Sequence, residues 1–145
     1  MPQPASLESL LERLVVAGVA ITTRALADAS DDWELTFPQW RALLIVGEAD
    51  DGATVSAVAA RVGVTVPATS RLLQRLARRG LLNATSDEQD RRATRARLTA
   101  RGIAVRERII GRRRALIAER ARTLRLSDST LHELEQVGAA FDGVS

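Results

Sequence analysis

The residues best suited to chemistry lie between Thr65 and Gly80. Placed on a helix at about 100° per residue with Arg71 as zero, Pro67, Ser70, Arg71, Gln74, Arg75 and Arg78 fall between about −100° and +40°. Val66, Thr69, Leu72, Leu73 and Leu76 fall between about 100° and 220°. One side is therefore an apolar core face and the other a face of guanidinium, amide and hydroxyl groups. Arginine can grip guanine O6 and N7 with two parallel bonds or clamp a phosphate, and glutamine can pair with adenine in the same bidentate way. Thr65, Pro67, Thr69 and Ser70 stand in the opening turns. Thr69 and Ser70 are expected to donate to phosphate beside the positive end of the helix dipole. Arg78 and Arg79 lie near the C-terminus, where complementing that dipole is reason enough for a cation. The plain alternative for the whole face is a solvated charged surface.

Further along, the polar run 86–93 carries Asp87, Glu88, Asp90, Arg91 and Arg92. It stands between two short segments, Leu81–Thr85 and Thr94–Leu98, the second alternating as a strand with one wet side. A hairpin whose tip presents cations can place Arg92 in a narrow, electronegative minor groove, with Asp90 holding Arg92 or its neighbour by a charge-assisted bond. Arg95 and Arg97 are expected to meet phosphates or water, and Arg112, Arg113 and Arg114 to form exposed helix surface. Trp33, Phe37 and Trp40 are three of only four aromatic residues. Core packing is their first expected role, and an apolar pocket accepting an aromatic or phenolic effector the second.

Composition excludes a good deal. The chain has 145 residues, 46% apolar and 27% charged, an ordinary globular make-up. Cysteine is absent, which removes disulfides, thiolate metal sites and a cysteine nucleophile. With no tyrosine, one histidine (His132), no glycine-rich phosphate loop and no HExxH or GxSxG motif, an enzyme is disfavoured and no metal or cofactor is expected. No apolar run is long enough for a membrane span, and residues 1–9 lack the charge and hydropathy of a signal peptide, so the expected address is the cytoplasm. The net charge of +3 hides a strong asymmetry. Residues 1–60 hold 3 Arg against 9 acids, 61–114 hold 15 against 4, and 115–145 hold 3 against 5. A basic centre between acidic flanks suits a polyanion-binding element set in a non-binding frame.

Several elements must position these groups. Leu7, Leu11, Leu14, Gly18, Ile21 and Ala25 recur at three- and four-residue spacing, one face of a long first helix capped by Ser6 or Ser9. Thr36 with Gln39 is a capping box, and Pro38 belongs in a first turn, so a second helix should run to about Ala49. Thr54 caps a short third helix stopped by Gly63, and Thr65 caps the fourth, the amphipathic one. A short helix, a three-residue connection and a helix with a basic face make a helix-turn-helix, and the hairpin after it is a wing. Thr99 caps a long helix to about Thr123 in which Ile103, Ile110, Ile117 and Leu124 stand seven apart, a spacing for helix-to-helix packing. A last helix from Ser127 carries Leu131, Leu134, Gly138 and Phe141 on one stripe.

The runs Arg71-Leu72-Leu73-Gln74-Arg75-Leu76, Gly80-Leu81-Leu82, Asp90-Arg91-Arg92 and Leu98-Thr99-Ala100-Arg101-Gly102, in letters and spacing, resemble the MarR family of bacterial transcriptional regulators. Leu35 to Gln39 and Leu126-Ser127 are similar to it more loosely. The resemblance implies a mainly α fold with a small β-hairpin wing: a winged helix-turn-helix with long terminal dimerisation helices. It implies that recognition helices enter successive major grooves, that the wing arginine, here Arg92, reaches the minor groove, and that the effector pocket lies near Trp33, Phe37 and Trp40. Two departures stand out. Asn83 and Ala84 occupy positions where many members carry a basic residue, and the first-helix cysteine of oxidant-sensing members is missing.

The expected organisation is an N-terminal dimerisation helix and linker at 1–34, a winged helix-turn-helix at 35–99 and C-terminal dimerisation helices at 100–145. Leu7, Leu11, Leu14, Ile103, Ile110, Ile117, Leu131, Leu134 and Phe141 are the expected dimer contacts. The expected function is a homodimeric repressor on a pseudo-palindromic duplex operator, released by a small aromatic ligand or by none. The competing reading is a winged-helix interaction module for an acidic protein partner.

Overall fold

The computed structural model describes residues 6–29, 34–86 and 94–141. In chain order these form α1 (Leu7–Ala29), α2 (Phe37–Gly47), β1 (Ala53–Thr54), α3 (Val55–Val62), α4 (Val66–Arg78), β2 (Leu82–Ser86), β3 (Thr94–Leu98), α5 (Ala100–Ala121) and α6 (Asp128–Phe141). The fold is mainly helical with a small antiparallel sheet.

Local signals account for the helix starts. The Thr36 hydroxyl accepts from the Gln39 amide, and the Gln39 side-chain oxygen accepts from the Thr36 amide at 3.0 Å, closing the capping box that opens α2. Thr54, Thr65 and Thr99 cap α3, α4 and α5 by accepting from the third residue on, each bond satisfying an amide the helix leaves orphaned. Gly63 and Gly80 take φ of 80° and 69°, the left-handed conformation that ends α3 and reverses the chain after α4. Helix ends fall slightly short of the expected ones: α2 stops at Gly47 and α5 at Ala121.

β2 and β3 pair with Leu82 opposite Leu98 and Ala84 opposite Ala96. The sequence pattern left out a third strand. Ala53 and Thr54 pair with Ala96 and Arg95, giving the order β1-β3-β2. Two residues carry no readable period, and only the proximity of β3 makes them a strand. Ala53, Leu82 and Ala96 face the core while Asn83 and Arg97 face out.

The core joins Trp40, Leu43 and Val46 of α2, Val58 of α3, Leu72, Leu73 and Leu76 of α4, Leu81, Leu82 and Ala96, and Ile109, Ile110 and Leu116 of α5, with Ala25 and Leu26 of α1 against it. Each large side chain so buried contributes roughly 1.5–3 kcal/mol. Ile110 needs correction as an outward contact: it is buried with Ile109 and Leu116 in its own chain. Ile103 and Ile117, on the same heptad row, are exposed. The drift of a seven-residue row, about 20° per repeat, is too small to account for this: at its two ends α5 buries Gly102 and Leu116, one position before Ile103 and Ile117, and only in its middle does it bury Ile109 and Ile110 together.

In the arginine run of α5, Arg114 is exposed as expected, whereas Arg112 and Arg113 are half-buried. Arg112 bonds the Asp28 carboxylate at 2.8 Å, joining α5 to the end of α1. The Arg112 hydrogen bond is the main reason the Asp28 carboxyl titrates below its ordinary value, aided by Arg24. Arg113 lies 6.0 Å from the centre of the Trp40 ring, at the outer limit for a cation over an aromatic face.

Candidate nucleic-acid interface

α4 is held by one face and presents the other. Leu72, Leu73 and Leu76 are buried, whereas Pro67, Arg71, Gln74, Arg75 and Arg78 are exposed and Ser70 is half-buried. Thr65, the capping residue, is exposed as well. Three guanidiniums and an amide thus stand on one side of a helix whose other side is locked into the core. Among the described residues, no ion pair involves Arg71, Arg75 or Arg78.

Two α4 residues sit otherwise than expected. Val66, assigned to the core face, is 49% exposed because it opens the helix ahead of the packed turns. Thr69, expected to bond phosphate, is fully buried, and its hydroxyl has no hydrogen-bond partner among the described residues. Its place among the leucines of the helix wheel was the better signal; proximity to the N-terminus was the weaker one. A buried hydroxyl without a partner costs free energy that a methyl of the same shape does not. Thr69→Val is therefore expected to raise stability by about 1 kcal/mol, read as a higher denaturant midpoint, and to leave duplex affinity unchanged. A fall in affinity would return Thr69 to the phosphate contacts.

The junction between α4 and α5 joins two sequence runs lying far apart in the chain. The Thr99 hydroxyl donates to the Gly80 carbonyl at 2.7 Å and accepts from the Gly102 amide at 2.9 Å. The Thr99 amide donates to the Leu81 carbonyl at 3.1 Å, and the Leu81 amide to the Leu76 carbonyl at 3.0 Å. Gly102 packs so closely on the Leu81 carbonyl that any Cβ would clash with backbone. The Gly-Leu-Leu and Leu-Thr-Ala-Arg-Gly runs are therefore the two halves of one joint, which fixes the end of α4 against the start of α5.

Asp90, Arg91 and Arg92 lie outside the described residues, as does Trp33. β2 ends at Ser86 and β3 begins at Thr94, on either side of residues 87–93. Arg95 donates to the Gly52 carbonyl at 3.1 Å, and Arg97 stands 3.9 Å from Asp51, so both have partners within the chain rather than water or phosphate alone. Trp40 is a core residue, 1% exposed. Phe37 is partly exposed and borders two open cavities. One of about 420 Å³ lies between α1 and α5, lined by Val15, Val19, Ile21, Phe37, Arg113 and Ile117. The other, about 470 Å³, is lined by Leu26, Glu34, Leu35 and Phe37 among others.

Residues 33–93 match the sequence model of the MarR family. That segment spans α2 through β2, with the basic face of α4 inside it. The chain has the MarR-family winged-helix fold. Among solved structures, RV1404 from Mycobacterium tuberculosis is 27% identical, with 95% of this chain and 92% of that one covered and a TM-score of 0.74. A MarR-family transcriptional regulator from Rhodococcus sp. RHA1 is 20% identical over 98% and 99% of the two chains, with a TM-score of 0.72. The PcaV transcriptional regulator from Streptomyces coelicolor, solved with its natural ligand, is 26% identical over 97% and 95%, with a TM-score of 0.65. No curated protein sequence matches the chain at a significant level.

Outside the matched segment, α1, α5 and α6 leave apolar side chains uncovered. Leu7, Leu14, Ile103, Ile117, Leu131, Leu134 and Phe141 are exposed, Leu11 is half-buried, and α6 buries no residue at all. An open cavity of about 820 Å³ runs between α1 and α6, lined by Leu7, Leu10, Leu14, Leu134 and Val137 among others. No helix of the described residues is long and apolar enough to cross a membrane, and no three metal-ligating side chains gather among them.

Proposed function

We propose that the chain is a homodimeric, sequence-specific regulator of transcription that binds duplex DNA through the exposed face of α4. One observation carries the reading: Arg71, Gln74, Arg75 and Arg78 stand together on the free side of a helix anchored by Leu72, Leu73 and Leu76. Arg71 and Arg75, one turn apart, read base edges in the major groove; Thr65, Ser70 and Arg78 position the helix on phosphates. Arg92, supported by Asp90 and with Arg91 beside it, follows the minor groove from the wing.

The partner in the dimer is a second copy of the chain. Apolar side chains exposed along whole helices mark association surfaces. The terminal segments, 1–34 and 100–145, thus serve dimerisation and 35–99 serves DNA. With two-fold symmetry, the operator is a pseudo-palindrome with half-sites about 10 to 10.5 base pairs apart. The sign of regulation proposed is repression.

The two cavities beside Phe37 have the size of small-ligand sites, which run from about 300 to 1,000 Å³. A small aromatic or phenolic molecule seated there would wedge α1 and α5 against α2 and so change the separation of the recognition helices. The ligand in PcaV favours this part of the proposal. The proposed role is not enzymatic, and the cytoplasm is the proposed address.

The test is a salt titration on duplexes selected from a random pool. Each phosphate neutralised contributes a log–log slope of about −0.9. The expected result is a steep slope, a selected pseudo-palindrome, and a slope reduced by about one unit in Arg92→Ala with affinity lowered across all sequences. Salt-independent capture of an acidic protein with no duplex selected would decide for the interaction-module reading.

A further inference from the structure

Arg79 follows α4 but does not share its basic face, standing about 80° round from Arg71. Its guanidinium instead donates at 3.0 Å to the main-chain carbonyl of Glu34, 45 residues earlier in the chain. That carbonyl is itself held in place: Leu35, the next residue, is buried in the core, and Thr36 is locked by the capping box of α2. On the far side, the Thr99 hydroxyl grips the Gly80 carbonyl. The end of α4 is therefore gripped from two directions, by the start of α5 and by the segment leading into α2.

Resting on the DNA-binding reading above, we propose that Arg79 is a positioning residue that sets the tilt of α4 through the Glu34 carbonyl and contacts no phosphate. The leucine stripe and the Thr99 joint hold α4 from the core and from α5; the Arg79 bond adds a hold from the segment before α2, off that stripe, against rocking about it. Base readout depends on tilt because bidentate bonds tolerate little misalignment, whereas phosphate attraction does not.

The experiment compares the wild-type dimer with Arg79→Met, Arg79→Lys and Glu34→Ala. Each is measured on the selected operator and on a random duplex over a range of salt. Methionine keeps the apolar stem and removes every donor. Arg79→Met is expected to weaken operator binding on the order of fivefold while leaving the random-duplex affinity and the salt slope unchanged. Arg79→Lys should restore most of the loss, and Glu34→Ala should have no effect because the acceptor is main chain. A slope reduced by about 0.9 in Arg79→Met would make Arg79 a phosphate contact and overturn the proposal. Unchanged operator affinity would overturn it too.

Amide exchange of the free protein separates failure of this proposal from failure of the DNA-binding reading. Arg79→Met is expected to speed exchange at Gly80 and Leu81 relative to the rest of α4, whether or not any duplex is bound. Equal exchange in the two proteins would show that Arg79 holds nothing.

Discussion

Replacing Arg71 and Arg75 together by alanine is expected to weaken binding to the selected operator by about 2 to 6 kcal/mol, at 1 to 3 for each base-reading arginine. The physical ground is position. Both side chains are exposed, one turn apart, on the side of α4 that the core does not use. Neither has an ion-pair partner among the described residues, so their alignment on a base edge would not compete with an internal contact. Their removal leaves Leu72, Leu73 and Leu76 untouched, and the fold should persist with an unchanged denaturant midpoint. Competition between operator and random duplex is the decisive measurement. Loss of the preference for operator, with most of the non-specific affinity retained, supports base reading. An equal loss on both duplexes would mean that the pair acts only on phosphate.

The second large effect is expected at Gly102. Two forces oppose each other there. Alanine is favoured over glycine inside a helix by about 1 kcal/mol, so propensity alone makes Gly102→Ala stabilising. The added methyl would, however, strike the Leu81 carbonyl oxygen, which belongs to backbone and cannot rotate away as a side-chain tip can. Relief requires lifting the first turn of α5 or turning the Leu81 peptide, and the latter breaks its bond to the Thr99 amide. Overpacking of this kind costs about 1 to 3 kcal/mol and the lost bond about 1 more, which outweighs propensity. A net destabilisation of about 1 to 3 kcal/mol is expected in urea unfolding. Operator affinity should also fall, because the same peptide closes α4. A stabilised Gly102→Ala protein would mean that the close approach is absent.

Much of this architecture was legible in the sequence because its signals are local. A capping hydroxyl acts three residues away, a left-handed glycine acts on its own dihedral, and the division of α4 into two faces follows from 3.6 residues per turn. The motif runs around Gly80 and Thr99 were legible as a resemblance, but not their reason, since the contact between Gly102 and Leu81 spans the whole hairpin.

The rest was decided only by tertiary packing. β1 exists because β3 passes beside Ala53. Thr69 is buried because its neighbours on the wheel are leucines pressed into the core. Ile110 turns inward although its heptad partners face out, and Arg79 finds a carbonyl that belongs to a distant segment. Short-range steric and hydrogen-bonding rules fix which residues are helical and which face of a helix is apolar. Which apolar groups meet their own chain and which stay exposed depends on distances between residues far apart in sequence, and these exist only once the chain has folded.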